Sequence, residues 1–158
     1  MQPIPILTLE DVNQIDKILS DFLQKSESNL AVVIDRGGNI ISQQGDMEII
    51  DVTTVAALAA GSFAATMELA KRIGEVEFNA LYHQGKGMHI FINSVDTETI
   101  MVTVFNDKTT IGLVRFYTTN ASQLLHDLLQ SLREKPHEEF TLTQEDISEA
   151  ISQAKINI

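Results

Sequence analysis

The sequence predicts an α+β layer sandwich built on a five-stranded, largely antiparallel sheet. Periodic apolar segments follow the order helix, two strands, helix, three strands, helix, and a short C-terminal helix comes after them. Consecutive strands are joined by hairpin-length connections, except where the second helix intervenes. The chain has 158 residues, of which 44% are hydrophobic, so one domain of this kind can bury a proper core.

The first helix and the first hairpin are marked by their end signals. Thr8 can cap a helix whose apolar residues recur at helical spacing over Leu9–Phe22. The apolar, β-branched run Leu30–Asp35 predicts a strand. The sequence RGGN at 36–39 predicts a tight turn, and Ile40–Gln43 predicts the returning strand.

The second helix is the most unusual segment, because Val52–Met67 contains sixteen residues without a charge, six of them alanine. Asp51 or Thr53 can cap this helix, and Gly74 should end it. One stripe is expected to cover the sheet, and it consists of Val55, Leu58, Ala65, Leu69 and Ile73. The other faces are apolar too, so this helix should be buried on a second side. In a short chain, that predicts a dimer, a partner protein, or both.

Three further strands and a long helix complete the domain. The strands are predicted at Phe78–His83, Met88–Asn93 and Thr99–Asn106, each rich in Ile, Val, Phe or Thr. The segment IGLVRFYTT that follows has β propensity, but apolar residues keep helical spacing as far as Arg133, and this length favours a helix.

The composition changes to a polar linker, EKPHEEF, at residue 134. We therefore expect a domain over residues 1–134, followed over 135–158 by a linker and a short amphipathic helix. Thr143 and Asp146 resemble a capping box for that helix, and Ile147, Ile151 and Ala154 follow at helical spacing.

The charge and composition exclude several kinds of partner. A net charge of −11 argues against nucleic acid and against anionic membrane surfaces, because both select for excess Lys and Arg. Membrane insertion is not expected, since the apolar run is shorter than the roughly 20 residues that span a bilayer. The N-terminal sequence has no signal-peptide pattern, so a cytoplasmic protein is expected. The absence of cysteine excludes disulfides and thiolate metal sites.

No catalytic set, cofactor site or metal site is predicted. His83 and His89 could face each other across a hairpin, but a third metal ligand is missing nearby. The sequence QGKGM lacks the full phosphate-loop pattern. The expected chemistry is therefore that of a binding protein without an active site of its own.

Three blocks carry a resemblance to a known family. They are VVIDRGGNIISQQGD at Val32–Asp46, the apolar-helix segment at Ile50–Phe78, and VFNDKTTIGLVRF at Val104–Phe116. This sequence resembles the Roadblock/light-chain-7 family, especially its bacterial members that regulate Ras-like small GTPases. The resemblance implies that 110–133 is helical and that helices cover both faces of the sheet.

The resemblance further implies a homodimer whose sheets join through their third strands, with the alanine-rich helices side by side and a small GTPase on that helical layer. Such dimers stimulate GTP hydrolysis without an arginine finger, in the control of cell polarity or motility. The alternative is a non-catalytic scaffold that binds a GTPase or another protein without stimulating it.

The residues expected to carry these two contacts come from the second helix and the third strand. Expected at the partner contact are Ala57, Ala60, Gly61, Ala64, Met67, Glu68 and Lys71. Expected at the dimer contact are Ala56, Ala59, Phe63, Ala70, Phe78, Ala80 and Tyr82.

Overall fold

The computed structural model describes residues 6–134 and 144–156 and confirms the predicted order of elements. The helices are α1 (Leu9–Ser26), α2 (Val52–Arg72), α3 (Ile111–Glu134) and α4 (Gln144–Ile156). The strands are β1 (Leu30–Asp35), β2 (Ile40–Gly45), β3 (Ala80–Gln84), β4 (Met88–Ser94) and β5 (Thr99–Asn106). The segment after β5 is helical, as its length predicted.

The five strands form one sheet in the order β2-β1-β5-β4-β3, and each neighbouring pair is antiparallel. The predicted α+β class and antiparallel sheet are confirmed. The first and last strands of this order, β2 and β3, form the two edges of the sheet. β3 begins at Ala80 rather than at the predicted Phe78, because β4 ends at Ser94 and leaves residue 78 no strand to pair with.

Two hydrophobic cores lie on opposite faces of the sheet. One contains α1 and α3, packed on residues such as Val33 and Phe105. The other contains α2, packed on residues such as Val32 and Val102. Because side chains alternate along a strand, the ladder of facing residues assigns each strand position to one core. Helices on both faces, which the resemblance implied, are thus confirmed.

The predicted helix caps are present where the structure describes them. The Thr8 hydroxyl accepts a hydrogen bond from the Asp11 amide (3.2 Å), and the Asp11 carboxylate accepts one from the Thr8 amide (2.9 Å). Asp51, rather than Thr53, caps α2 and accepts from the Thr54 hydroxyl and amide. These bonds lower the pKa of Asp51. The capping box predicted at Thr143 lies outside the described residues.

The stripe of α2 that was expected to cover the sheet faces away from it, so that prediction is wrong. Leu58, Leu69 and Ile73 are 66%, 61% and 70% exposed. The stripe that covers the sheet consists of Val52, Ala56, Ala59, Ala60, Phe63, Thr66 and Ala70. The reason is size: the strands below present bulky Leu, Ile and Val, and small helix residues let the helix approach them closely.

By length and composition, α2 could also span a membrane, a criterion that core helices of soluble proteins meet equally. Its buried stripe packs on a sheet that carries a second helical layer on its other face. One stripe of α2 therefore belongs to a core of this domain, and the cytoplasmic location of the protein stays a prediction.

Candidate partner-binding surface

The face of α2 turned away from the sheet is the most unusual surface of the protein. It carries two stripes. The small stripe consists of Ala57, Gly61, Ala64, Glu68 and Lys71, all of them exposed. The leucine stripe consists of Val55, Leu58, Ala65, Leu69 and Ile73, of which Val55 is half-buried and the others are exposed. A helix that is apolar on both sides leaves one apolar face uncovered by its own domain.

Five of the seven residues expected at the partner contact make up the small stripe. At its centre a side chain added at Gly61 would meet no atom within 4 Å, so the stripe is open and nearly flat there. The other two are less exposed, and their place at the partner contact stays a prediction. Ala60 is only 5% exposed, and Met67 is half-buried against the core under α2. Both lie on the sheet side, because the buried arc of this helix is wider than a single row of residues.

Four of the residues expected at the dimer contact lie inside the protomer. Ala56, Ala59, Phe63 and Ala70 are at most 6% exposed, since they pack on their own sheet. A side chain already covered by its own sheet has no surface to offer a second copy. The dimer prediction is therefore corrected for these four residues, and the leucine stripe is the apolar surface that α2 leaves available.

The remaining three dimer residues follow the β3 edge. Ala80 and Tyr82 are half-buried on the α1–α3 core, and Phe78 lies half-buried just before the strand. The outer side of β3 pairs with no strand among the described residues. An edge of this kind presents unpaired backbone donors and acceptors to another chain.

The charges of α2 are confined to its last turns. Glu68, Lys71 and Arg72 are the charged residues of this helix, and Glu68 lies 3.6 Å from both cations. All three side chains are more than half exposed, so these ion pairs contribute little stability. The rest of the outward face, over more than four turns, is therefore uncharged.

Two arginines that could have acted on a bound partner are instead anchored inside the protomer. The Arg36 guanidinium donates to the Thr97 and Asp96 carbonyls (3.0 and 2.9 Å) and the Ser94 hydroxyl (3.1 Å), and it lies 5.0 Å from the centre of the Phe63 ring. Burial lowers the pKa of Arg36, an effect that nearby carboxylates oppose. This side chain ties the end of β1 to the β4–β5 turn.

Arg133 forms a buried ion pair with Asp96. The Nη1–Oδ2 distance is 2.9 Å, and the two side chains are 12% and 6% exposed. Burial by itself raises the pKa of Asp96, but hydrogen bonds from the Glu98 amide and from Arg133 outweigh it, so the net pKa lies below the ordinary value. The pair fastens the end of α3 to the β4–β5 turn.

His83 and His89 do not face each other across the β3–β4 hairpin. His83 pairs with Ile90 and His89 pairs with Gln84, so the two imidazoles point to opposite faces of the sheet. His89 Nδ1 accepts from the Gly85 amide (3.1 Å), and its Nε2 lies 2.8 Å from Asp107. Among residues 6–134 and 144–156, no three His, Asp or Glu side chains are grouped as metal ligands would be.

The leucine stripe was misassigned because pattern alone cannot say which apolar face of a helix meets its own sheet. The strands contained the missing signal. Bulky residues at Leu30, Val32 and Ile34 leave room for alanine but not for another layer of leucine.

Comparison with known proteins gives the family. The Roadblock/LC7 domain model matches residues 14–105. The solved structure of Myxococcus xanthus MglB is 30% identical, with a TM-score of 0.76, and the match covers 84% of this chain and 99% of that one. Thermus thermophilus gliding protein MglB is 26% identical, with a TM-score of 0.76, covering 83% of this chain and 99% of that one.

A further relative comes from Aquifex aeolicus strain VF5, an uncharacterized protein that is 19% identical over 142 residues, covering 88% of this chain and 87% of its own length. The fold is thus MglB-like. Since the domain model matches more than half of its length, the chain belongs to the Roadblock/LC7 family.

Proposed function

We propose that this protein is a homodimeric regulator that binds a Ras-like small GTPase of the MglA type and stimulates its GTP hydrolysis without an arginine finger. The observation that carries the proposal is the outward face of α2, which is apolar, uncharged over more than four turns, and exposed. A surface of that composition on a soluble protein is typical of a protein-protein contact. Its two stripes can serve two different contacts.

The leucine stripe suits a second copy of the chain. In an antiparallel pair of α2 helices about a two-fold axis, Leu58 of one copy lies against Leu69 of the other, and Ser62 lies against Ala65. Small residues at the centre let the helices approach closely, and leucines on either side fill the remaining space. The β3 edges, with Phe78, Ala80 and Tyr82, would pair across the same axis.

The small stripe suits the GTPase. Ala57, Gly61 and Ala64 form a flat strip onto which a partner can pack closely, and Glu68 and Lys71 provide charge at one end of it. Rim charges of this kind chiefly affect the rate of encounter and the choice of partner. The chain would act by reshaping the GTPase's own catalytic residues.

The anchoring of Arg36 and Arg133 supports a mechanism without a finger. An arginine finger must reach out of its protein to the transferred phosphate. Each of these guanidinium groups is held by atoms of its own chain. Arg72 and Arg115 are the other two arginines, one beside Glu68 and the other 5.4 Å from the centre of the Phe91 ring.

The test is a single-turnover GTPase assay with the cognate GTPase, at saturating regulator, using wild type and the variant Ala64→Arg. A long charged side chain in the small stripe prevents close packing and must lose water if the partner still docks. We expect Ala64→Arg to abolish binding measured by calorimetry while the circular dichroism spectrum and the dimer are retained.

Thr119→Arg is the matched control, because Thr119 is an exposed helical residue of α3 on the other face of the sheet. It should bind and stimulate as wild type does. Unchanged affinity in Ala64→Arg would place the partner contact elsewhere. Tight binding of the GTP form by wild type without faster hydrolysis would instead establish the scaffold function.

A further inference from the structure

A second apolar surface lies on the opposite side of the sheet from α2. It is the outer stripe of α3, formed by Leu113, Phe116, Tyr117, Leu124 and Leu128. Phe116 is 69%, Leu124 48% and Leu113 36% exposed, and the other two are half-buried. Along part of this stripe a groove opens between α1 and α3, lined by Lys17, Lys25 and Leu124 among others.

The C-terminal helix α4 has an apolar stripe without a cover. Ile147 and Ile151 are 47% and 52% exposed, and every residue from 144 to 155 is exposed. Ala154 continues the stripe one turn further on. An amphipathic helix this short gains most of its stability from packing its apolar face on something else.

We infer that α4 folds back antiparallel to α3 and covers the C-terminal part of the outer stripe, at Leu124 and Leu128, so that this chain's own C-terminal segment closes and opens that part of its second apolar surface. The proposal concerns the face opposite α2, and it does not depend on the proposed function.

The spacing of the two stripes agrees with this arrangement. In an antiparallel pair, Ile147 lies against Leu128 when Ile151 lies against Leu124, because both pairs are four residues apart. Ala154 then lies level with Ala121, where α3 has no large apolar side chain to accommodate. Helices joined by a short connection are commonly antiparallel neighbours of this kind.

The segment between α3 and α4 is long enough for α4 to pack beside α3. Residues 135–143 separate α3 from α4, and ten Cα–Cα steps can span roughly 33 Å. Packed helices need only about 10 Å between their axes. A connection of this length holds α4 near α3 at an effective concentration in the millimolar range, so even a weak contact would be substantially occupied.

The chain contains no cysteine, so disulfide trapping has no background. The test variant is Leu124→Cys with Ile151→Cys, and the control is Leu124→Cys with Glu149→Cys, whose second cysteine lies on the opposite side of α4. We expect the test pair to form an intrachain disulfide under mild oxidation at least tenfold faster than the control. Equal rates would overturn the proposal.

Two further measurements identify the occupant. When the single variants Leu124→Cys and Ile151→Cys are mixed, a disulfide can form only between chains. If it forms as fast as the disulfide of the test pair, a second copy covers the stripe, and folding back is refuted. In the single variant Leu124→Cys, adding Ile147→Asp and Ile151→Asp should speed labelling by a thiol reagent severalfold. Unchanged labelling would mean that α4 does not cover the stripe. No GTPase is present, so either result leaves the proposed function untouched.

Discussion

Truncating one leucine of α2 should weaken the homodimer by an amount that the exposure of that side chain allows us to work out. Leu69 is 61% exposed in the protomer. Full burial of a leucine side chain contributes about 1.5–3 kcal/mol, so covering its exposed part contributes about 1–2 kcal/mol. Alanine retains part of that contact, which leaves a loss of about 1 kcal/mol per copy.

A symmetric dimer loses this contact twice, so Leu69→Ala should cost about 2 kcal/mol of association energy. That corresponds to a roughly thirtyfold higher Kd. Sedimentation equilibrium over a dilution series would measure it. The control is Leu9→Ala, since Leu9 is a leucine of α1 that is 79% exposed on the other side of the sheet. It should leave the Kd unchanged.

The double variant Leu58→Ala with Leu69→Ala tests the antiparallel register itself. If Leu58 and Leu69 touch across the two-fold axis, either substitution alone already removes their contact. Adding the other substitution then costs less association free energy than it does by itself. Residues without a shared contact would instead add within about 0.3–0.5 kcal/mol. Full additivity would refute this register, and a Kd that neither substitution changes would refute the leucine stripe as the dimer contact.

Three other substitutions test the inside of the protomer. Arg36→Ala should lower the free energy of unfolding by about 2–3 kcal/mol in urea titration, yet keep GTPase stimulation within about tenfold at saturating dimer; a thousandfold drop would reveal a finger. Asp96→Asn leaves Arg133 buried without its charge partner and should cost about 3 kcal/mol at neutral pH. Because folding lowers the pKa of Asp96, the stability that its carboxylate provides is complete above about pH 5 and is lost as the pH falls through its folded pKa. The unfolding free energies of wild type and Asp96→Asn should therefore converge in acid. Gly38→Ala should cost about 2–3 kcal/mol, since φ is +88° and the added Cβ would come within 2.8 Å of the α2 backbone. Gly37→Ala should cost much less, because its added Cβ would meet only two side-chain atoms, at 3.4 and 3.5 Å.

Local pattern was sufficient for most of the fold. The cap at Thr8, the β-branched run Leu30–Asp35 and the cap at Asp51, one of two candidates for α2, each depend on neighbours along the chain, and the structure has each of them in place. The long segment 111–134 was locally ambiguous, and its length decided correctly for helix. What these signals share is that a residue and its partner lie within a few positions of one another.

The site was predicted less well, because its residues depend on contacts between distant segments. Ala56 and Leu58 are two positions apart and both apolar, yet one is buried on the sheet and the other is 66% exposed. Nothing in the spacing of α2 distinguishes them. The distinction lies in β1 and β5, far from α2 in sequence, whose side chains decide which face of the helix fits.

That choice of face also explains how one helix can serve two roles. If leucine had faced the sheet, bulky side chains would have met bulky side chains, and no leucine of α2 would have been left on the outside. With alanine and Phe63 inside, the helix comes close to the sheet, and the Arg36 guanidinium reaches the edge of that core over the Phe63 ring. The larger apolar side chains are then left on the outside, where covering them drives association. The small stripe beside them is held in place by the same packing, so a dimer formed through the leucines leaves Ala64 and its neighbours free for a partner.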